Sequence, residues 1–174
     1  LDSFSMDKTL EIASRYDCKI EKNKFEDYAK QRNFAIDQLP ITSEWVLFLD
    51  ADEWLPNELK QEISALMASS PEENGFYIKR RLIWMGRWIR RGYYPTWILR
   101  LFRHGKGRCE DRAVNEHLMV EGKTDQLQND FVHEDQRGIS DWIAKHNGYA
   151  TREALELFNT RAAAGYAEVD VNLF

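Results

Sequence analysis

Cysteine is nearly missing. Cys18 and Cys109 stand far apart and in no Cys-x-x-Cys spacing, so neither a disulfide framework nor a zinc ribbon is indicated, and a reduced, cytosolic setting is the default. Long apolar runs are missing too: nothing approaches the roughly twenty residues that span a bilayer, and no signal-peptide pattern opens the chain. The expectation is a soluble protein, at most peripheral at a membrane. There is no internal repeat, no low-complexity tract and no linker. What remains is a globular balance, 43% hydrophobic and 30% charged over 174 residues, enough for one domain with its own core. Leu1-Asp2-Ser3 reads as the end of a strand entering a loop, so a first strand is expected to lie before Leu1.

Charge is unevenly spread. Between Lys79 and Arg112 eleven lysines and arginines face only Glu110 and Asp111, a local charge of +9 inside a chain whose total is -5. Trp84, Trp88, Tyr93, Tyr94 and Trp97 are interleaved with these cations. Arginines on phosphates with aromatics on bases would make a nucleic-acid surface. Aromatics stacked on sugar rings, with arginines meeting an anionic acceptor or anionic lipid heads, is the preferred reading. An ordinary solvated hairpin is the plain alternative.

Helical spacing of Leu10, Ala13 and Tyr16 after a Ser5 cap, followed by Cys18-Lys19-Ile20 as a short strand, starts a strand-loop-helix-strand rhythm. Phe25 to Leu39 carries one apolar helix face, and Arg32 falls on that face and needs a partner. Trp45-Val46-Leu47-Phe48-Leu49 is a continuous apolar run, as expected of a parallel strand buried on both sides at the sheet centre. Pro56 suits the first turn of a helix presenting Leu59, Ile63, Leu66 and Met67. Gly75 to Leu82 and Thr96 to Phe102 read as further strands. Ser140 can cap a last helix with Trp142, Ile143, His146, Tyr149, Ala150 and Leu157 on one face, where His146 reads as a satisfied core histidine. The fold class is α/β, a mixed sheet flanked by helices.

Ligands of open α/β sheets bind beyond the carboxyl ends of the strands, and Asp50-Ala51-Asp52-Glu53 ends the most apolar one. Two carboxylates one residue apart can share a hard cation, or divide metal and ribose between them. A strand-ending turn with a helix cap is the alternative for any lone Asp-x-Asp.

The segments Asp2-Ser3-Phe4-Ser5-Met6-Asp7-Lys8-Thr9, Gln31-Arg32-Asn33 and Trp45 to Glu53 occur in an order that resembles a family 2 glycosyltransferase of the Rossmann-like GT-A fold. Gly86-Arg87-Trp88-Ile89-Arg90, Tyr94-Pro95, Leu99 to Arg103, Val114-Asn115-Glu116 and His133 extend the likeness to the bacterial lipopolysaccharide-core and surface-polysaccharide branch, over nearly the whole chain. The family's second aspartate is Ser3 here, and the histidine before its late glutamate is Asn115.

The resemblance implies an inverting, metal-dependent transfer from a nucleotide-sugar donor, a UDP-sugar by expectation, to a saccharide or lipid-linked acceptor in envelope polysaccharide or lipopolysaccharide assembly. It implies one domain over 1–174, with a donor and metal half at 1–70, an acceptor and catalytic half at 71–138 and a terminal helix at 139–160. Asp2 is then expected at the nucleobase, Asp50 at the ribose or metal, and Asp52 at a Mg2+ or Mn2+ bridging the diphosphate. His133 is a third metal ligand or a diphosphate contact, with a structural histidine as alternative. Arg32 is a fixed positive charge or a helix-anchoring salt bridge. Glu116 is the general base, with Asp111 in reserve and a solvated loop acid as alternative. Trp84, Trp88, Arg90 and Tyr94 are expected at the acceptor. The partners are donor, acceptor and an anionic membrane surface, without nucleic acid, and the setting is the cytoplasm, at the inner face of the plasma membrane. A sugar nucleotidyltransferase and a non-catalytic binding module are the rival readings.

Overall fold

The computed structural model describes residues 1–110 and 117–163. In chain order these form α1 (Thr9–Ala13), α2 (Tyr28–Gln38), β1 (Trp45–Leu47), β2 (Glu53–Trp54), α3 (Asn57–Ala68), β3 (Gly75–Trp84), β4 (Arg87–Trp88), β5 (Trp97–Arg103), β6 (Gly107–Cys109), β7 (Leu118–Val120), β8 (Thr124–Glu134) and α4 (Ile139–Ala163). The main sheet runs β1-β5-β3-β8-β2 with β4 paired on β3, and β6 and β7 form a separate ribbon. β3 and β8 are parallel, whereas β1 with β5, β5 with β3, and β8 with β2 are antiparallel. The sheet is therefore mixed, and strands from before and after residue 70 are woven into it together.

One face of the sheet is closed by α3. Alternation along β3 turns Phe76 and Ile78 to that face, where they meet Leu101 of β5, Leu127 and Phe131 of β8, and Leu59 of α3 in one buried cluster. Each such side chain contributes about 1.5–3 kcal/mol by leaving water. Ile63, Leu66 and Met67 extend the helix stripe onto the cluster, with Pro56 at the N-cap of α3.

Among the described residues the apolar run from Trp45 lies at one end of the strand order, where Trp45–Leu47 pairs antiparallel to β5 rather than parallel at the centre. Trp45 packs on Phe76 at 5.7 Å between ring centroids, and Phe48 on Phe102 at 5.3 Å.

Three smaller expectations also change. Cys18-Lys19-Ile20 is not a strand, because the Cys18 amide turns back onto the Tyr16 carbonyl at 2.8 Å, and the neighbourhood's one ladder contact is an isolated bridge between Asp2 and Lys22. Ser5 hydrogen-bonds to Asp2, and the Asp7 carboxylate receives the Thr9 amide where α1 starts. α4 starts at Ile139, so Ser140 lies inside its first turn. His146 is exposed, not core: its ring stacks on Trp142 at 3.9 Å and its Nδ1 donates to the Trp142 carbonyl. Among the described residues no helix is long and apolar enough to cross a membrane.

Candidate functional site

The chain leaves β1 through a turn that closes on itself. The Glu53 amide donates to the Asp50 carbonyl at 3.0 Å, and the Asp50 amide donates to Glu53 Oε2 at 3.0 Å. Arg100 lies against this turn for a reason rooted in the sheet. The β3–β5 register slips between Phe76 and Tyr77, so that Arg100 is the extra residue of a bulge. A bulge re-aims the side chain it carries. The Arg100 guanidinium reaches Asp50 at 2.9 Å and Glu53, and lies over the Phe131 ring. Arg32 of α2 adds a second cation to Asp50 at 3.1 Å.

Burial alone would raise the Asp50 carboxyl, but the Arg100 and Arg32 guanidiniums outweigh it and hold the group below its ordinary value. Glu53 goes the other way. Burial pushes its carboxyl up, the Asp50 charge adds to the push, and Arg100 works against both. The Asp50 side chain keeps 41% of its surface exposed while that of Glu53 keeps 2%, so Asp50 faces the solvent side of the cluster and Glu53 its base.

Three consecutive residues of α2 anchor the surrounding loops. Gln31 donates to the Ser3 hydroxyl at 2.9 Å and accepts from Asn23 at 2.8 Å. Arg32 holds Asp50. Asn33 behaves as a strand residue toward β6, accepting from the Cys109 amide at 2.9 Å and donating to its carbonyl at 3.1 Å. The helix itself is fixed by Asp27, whose carboxylate accepts the Lys30 amide at 2.7 Å.

Asp52 projects to a different partner. Pairing of β2 with β8 sets Glu53 opposite His133, and the Glu134 amide donates to the Asp52 carbonyl at 2.9 Å. That register places His133 Nε2 3.2 Å from Asp52 Oδ2. The His133 hydrogen bond lowers the Asp52 carboxyl below its ordinary value, against partial burial. His133 Nδ1 is buried and has no hydrogen-bond partner among the described residues. Close by, hydrogen bonds from Arg137 hold the Asp135 carboxyl at about 2, and Lys145 of α4 stands 3.8 Å from it.

The residues expected at the acceptor do not form one group. Trp88 lies opposite Ile83 in the β3–β4 pair, so Trp84 falls on the other face. Trp84 meets Trp142 of α4 edge-on at 5.8 Å, on the sheet face shared by Leu82 and His133. Trp88, Arg90 and Tyr94 gather on the opposite face with Arg81 and Asp130. Asp2 directs its carboxylate to Ser5, whose hydrogen bonds lower it. Asp111 and Glu116 lie outside the described residues.

The sequence reading did not single out Arg100, Glu53 or Asp130 as site residues. A charged residue between Leu99 and Leu101 was the available signal, because a cation inside an apolar run requires a buried partner. Replacing it by Met is expected to cost about 2–3 kcal/mol in urea unfolding at neutral pH. That is below the usual loss for a broken buried pair because Asp50 is partly solvated. Arg100→Met combined with Glu53→Gln is expected to recover part of the loss. Equal stability of parent and Arg100→Met would remove the structural role given to the cluster.

The family model of Glycosyl transferase family 2 matches residues 1–114. The chain is 30% identical to the lipopolysaccharide core biosynthesis glycosyltransferase LpsC of Rhizobium meliloti, across 88% of this chain and 59% of that protein. It is 27% identical to an uncharacterized glycosyltransferase of Rickettsia typhi, across 90% of this chain and 57% of the other. A similar protein of Rickettsia bellii is 33% identical over 50% of this chain and 29% of its own length. The chain thus spans less than two thirds of the length of these relatives.

Proposed function

The chain belongs to glycosyl transferase family 2, and from that premise we propose that it moves a sugar from a UDP-sugar to a saccharide acceptor by a single inverting displacement. Its mixed sheet flanked by helices has the architecture of the GT-A fold. The observation that carries the proposal is the pairing of Asp52 with His133 beside an arginine-clamped Asp50 at the end of β1.

The donor set suits a divalent ion. Asp52 Oδ2 and His133 Nε2 are 3.2 Å apart, a carboxylate oxygen and an imidazole nitrogen that would hold the ion together. Among the described residues no three His, Cys, Asp or Glu side chains gather as a full metal site, so diphosphate oxygens and water would complete the shell. An imidazole ligand favours Mn2+ over Mg2+. A cation held there would stabilise the charge that develops on the departing diphosphate.

In this reading Asp50 is an orienting group. Its two arginines occupy both carboxylate oxygens and fix the turn that aims Asp52, and its partly exposed carboxylate would accept a further hydrogen bond from the ribose. Asp2 meets the nucleobase, and Glu116 accepts the proton of the attacking hydroxyl. The lipopolysaccharide-core role of the relative from Rhizobium meliloti supports an acceptor of envelope polysaccharide, lipid-linked, at the cytoplasmic face of the membrane. The exposed arginines of the β3–β5 connection are compatible with an anionic surface there. The test is release of nucleoside diphosphate when the full-length protein meets a panel of nucleotide sugars with and without Mn2+. Mn2+-dependent release from a UDP-sugar is the expected result, and release from no donor would overturn the reading.

A further inference from the structure

The face of the sheet turned away from Asp52 and His133 carries a second polar cluster. Asp130 is 6% exposed, and Glu134, opposite Ile83, shares its face of the sheet. It accepts from Arg81 at 3.3 Å and from the Tyr94 hydroxyl at 3.2 Å, and forms an ion pair with Lys79 at 3.4 Å. Two cations on one carboxylate already leave an excess. Arg90 adds a third, and its guanidinium carbon lies 4.3 Å from the centre of the Trp88 ring, with that of Arg81 at 4.7 Å. Tyr94 meets the same ring edge-on at 5.2 Å.

Stacking holds a guanidinium in place without using its N–H edge. Arg90 is exposed, and among the described residues no carboxylate pairs with it. The cluster therefore presents an oriented, unused fork of donors on the ring that Arg81 also touches, and Lys79, Arg81 and Arg90 against Asp130 and Glu134 leave a local charge of +1. A forked guanidinium beside a second cation matches the oxygens of a phosphate group. Lys79 is 19% and Arg81 37% exposed, less open than the exposed Arg87, Arg90 and Arg91, so a compact phosphate carried on a sugar can reach Arg81 as well as Arg90, whereas a flat bilayer meets the exposed arginines alike.

The geometry points to a phosphate-binding site built by Arg90, Arg81 and Trp88, separate from the donor side, that takes a phosphorylated saccharide. It stands independently of the donor reading, because no residue of it touches Asp50, Asp52 or His133.

Calorimetry at low salt with glucose 6-phosphate and with glucose, on the parent protein, Arg90→Gln and Arg87→Gln, tests it. Glucose 6-phosphate is expected to bind the parent and glucose not. Arg90→Gln is expected to weaken that binding about tenfold, the loss typical of one hydrogen-bonding contact to a charged group. Arg87→Gln, a neighbouring arginine with no ring beneath it, is expected to keep the parent affinity. Equal losses in both variants would mean diffuse charge and overturn the site, as would absence of binding to the parent. Flotation with phosphatidylglycerol and phosphatidylcholine vesicles separates the two sources of phosphate. Capture by phosphatidylglycerol that depends on Arg90, without binding of glucose 6-phosphate, would overturn the saccharide assignment. Uridine diphosphate with Mn2+ is titrated into the same proteins. Unchanged affinity in Arg90→Gln supports a separate site, and a parallel fall overturns it.

Discussion

Asp52→Asn is expected to abolish Mn2+-dependent binding of uridine diphosphate while leaving the fold intact. The fold survives because the variant has the same size, sits past β1, and keeps the Asp52 backbone contact to the Glu134 amide. The substituted amide oxygen can still accept from His133. What is lost is the negative charge and one hard oxygen, the two features a divalent ion requires. Loss of an outer-shell partner alone lowers metal affinity about 10–100-fold, so loss of Asp52 as the proposed direct ligand is expected to exceed about a hundredfold. Calorimetry with and without Mn2+ measures it. Asp50→Asn is expected to weaken binding less, because Asp50 is committed to Arg32 and Arg100 and acts by orienting the turn. Unchanged binding in Asp52→Asn would move the metal away from this residue, and a larger loss in Asp50→Asn would exchange the two roles.

The site was legible in the sequence where its chemistry is local. Asp50 and Asp52 at the end of an apolar run, and Arg32 on an apolar helix face, each violate a burial rule within a few residues, and the structure joins Arg32 to Asp50. β3 and β5 fall within two residues of the expected strands, because alternation and flanking glycine and proline mark them directly. The bulge that aims Arg100 depends on how β3 and β5 align, and no local signal encodes a register slip. Asp130 draws its partners from β3 and from the segment before β5, so its burial follows from the sheet topology alone. The apolar face of α4 was read correctly as a face and wrongly as core: Ile143 is 55% and Leu157 57% exposed. An amphipathic pattern says which side of a helix is apolar and nothing about what covers it.

Glu116→Gln is expected to separate chemistry from binding. An inverting displacement needs one base on the acceptor hydroxyl, and the donor side, carried by Asp52 and His133 in the reading above, supplies none. The resemblance implies that Glu116 is the late glutamate of the family, and Glu110 and His117, described residues on either side of it, are hydrogen-bonded to each other. The Glu110 amide donates to the His117 carbonyl at 2.9 Å, and Cys109 is held by Asn33, the neighbour of the arginine that grips Asp50. These contacts join Cys109 to α2 and Glu110 to His117. Loss of a general base lowers turnover by about 10²–10⁴-fold, which corresponds to about 3–5 kcal/mol of transition-state stabilisation. Uridine diphosphate and Mn2+ affinity is expected to stay at the parent value, because the base touches the acceptor and not the donor. The assay uses the full-length protein, with the UDP-sugar that the panel identifies. A fall in donor affinity alongside turnover would make Glu116 a metal ligand instead. Near-normal turnover would transfer the role to Asp111, where Asp111→Asn repeats the measurement, and near-normal turnover in both variants would leave the proposed displacement without a base and overturn it.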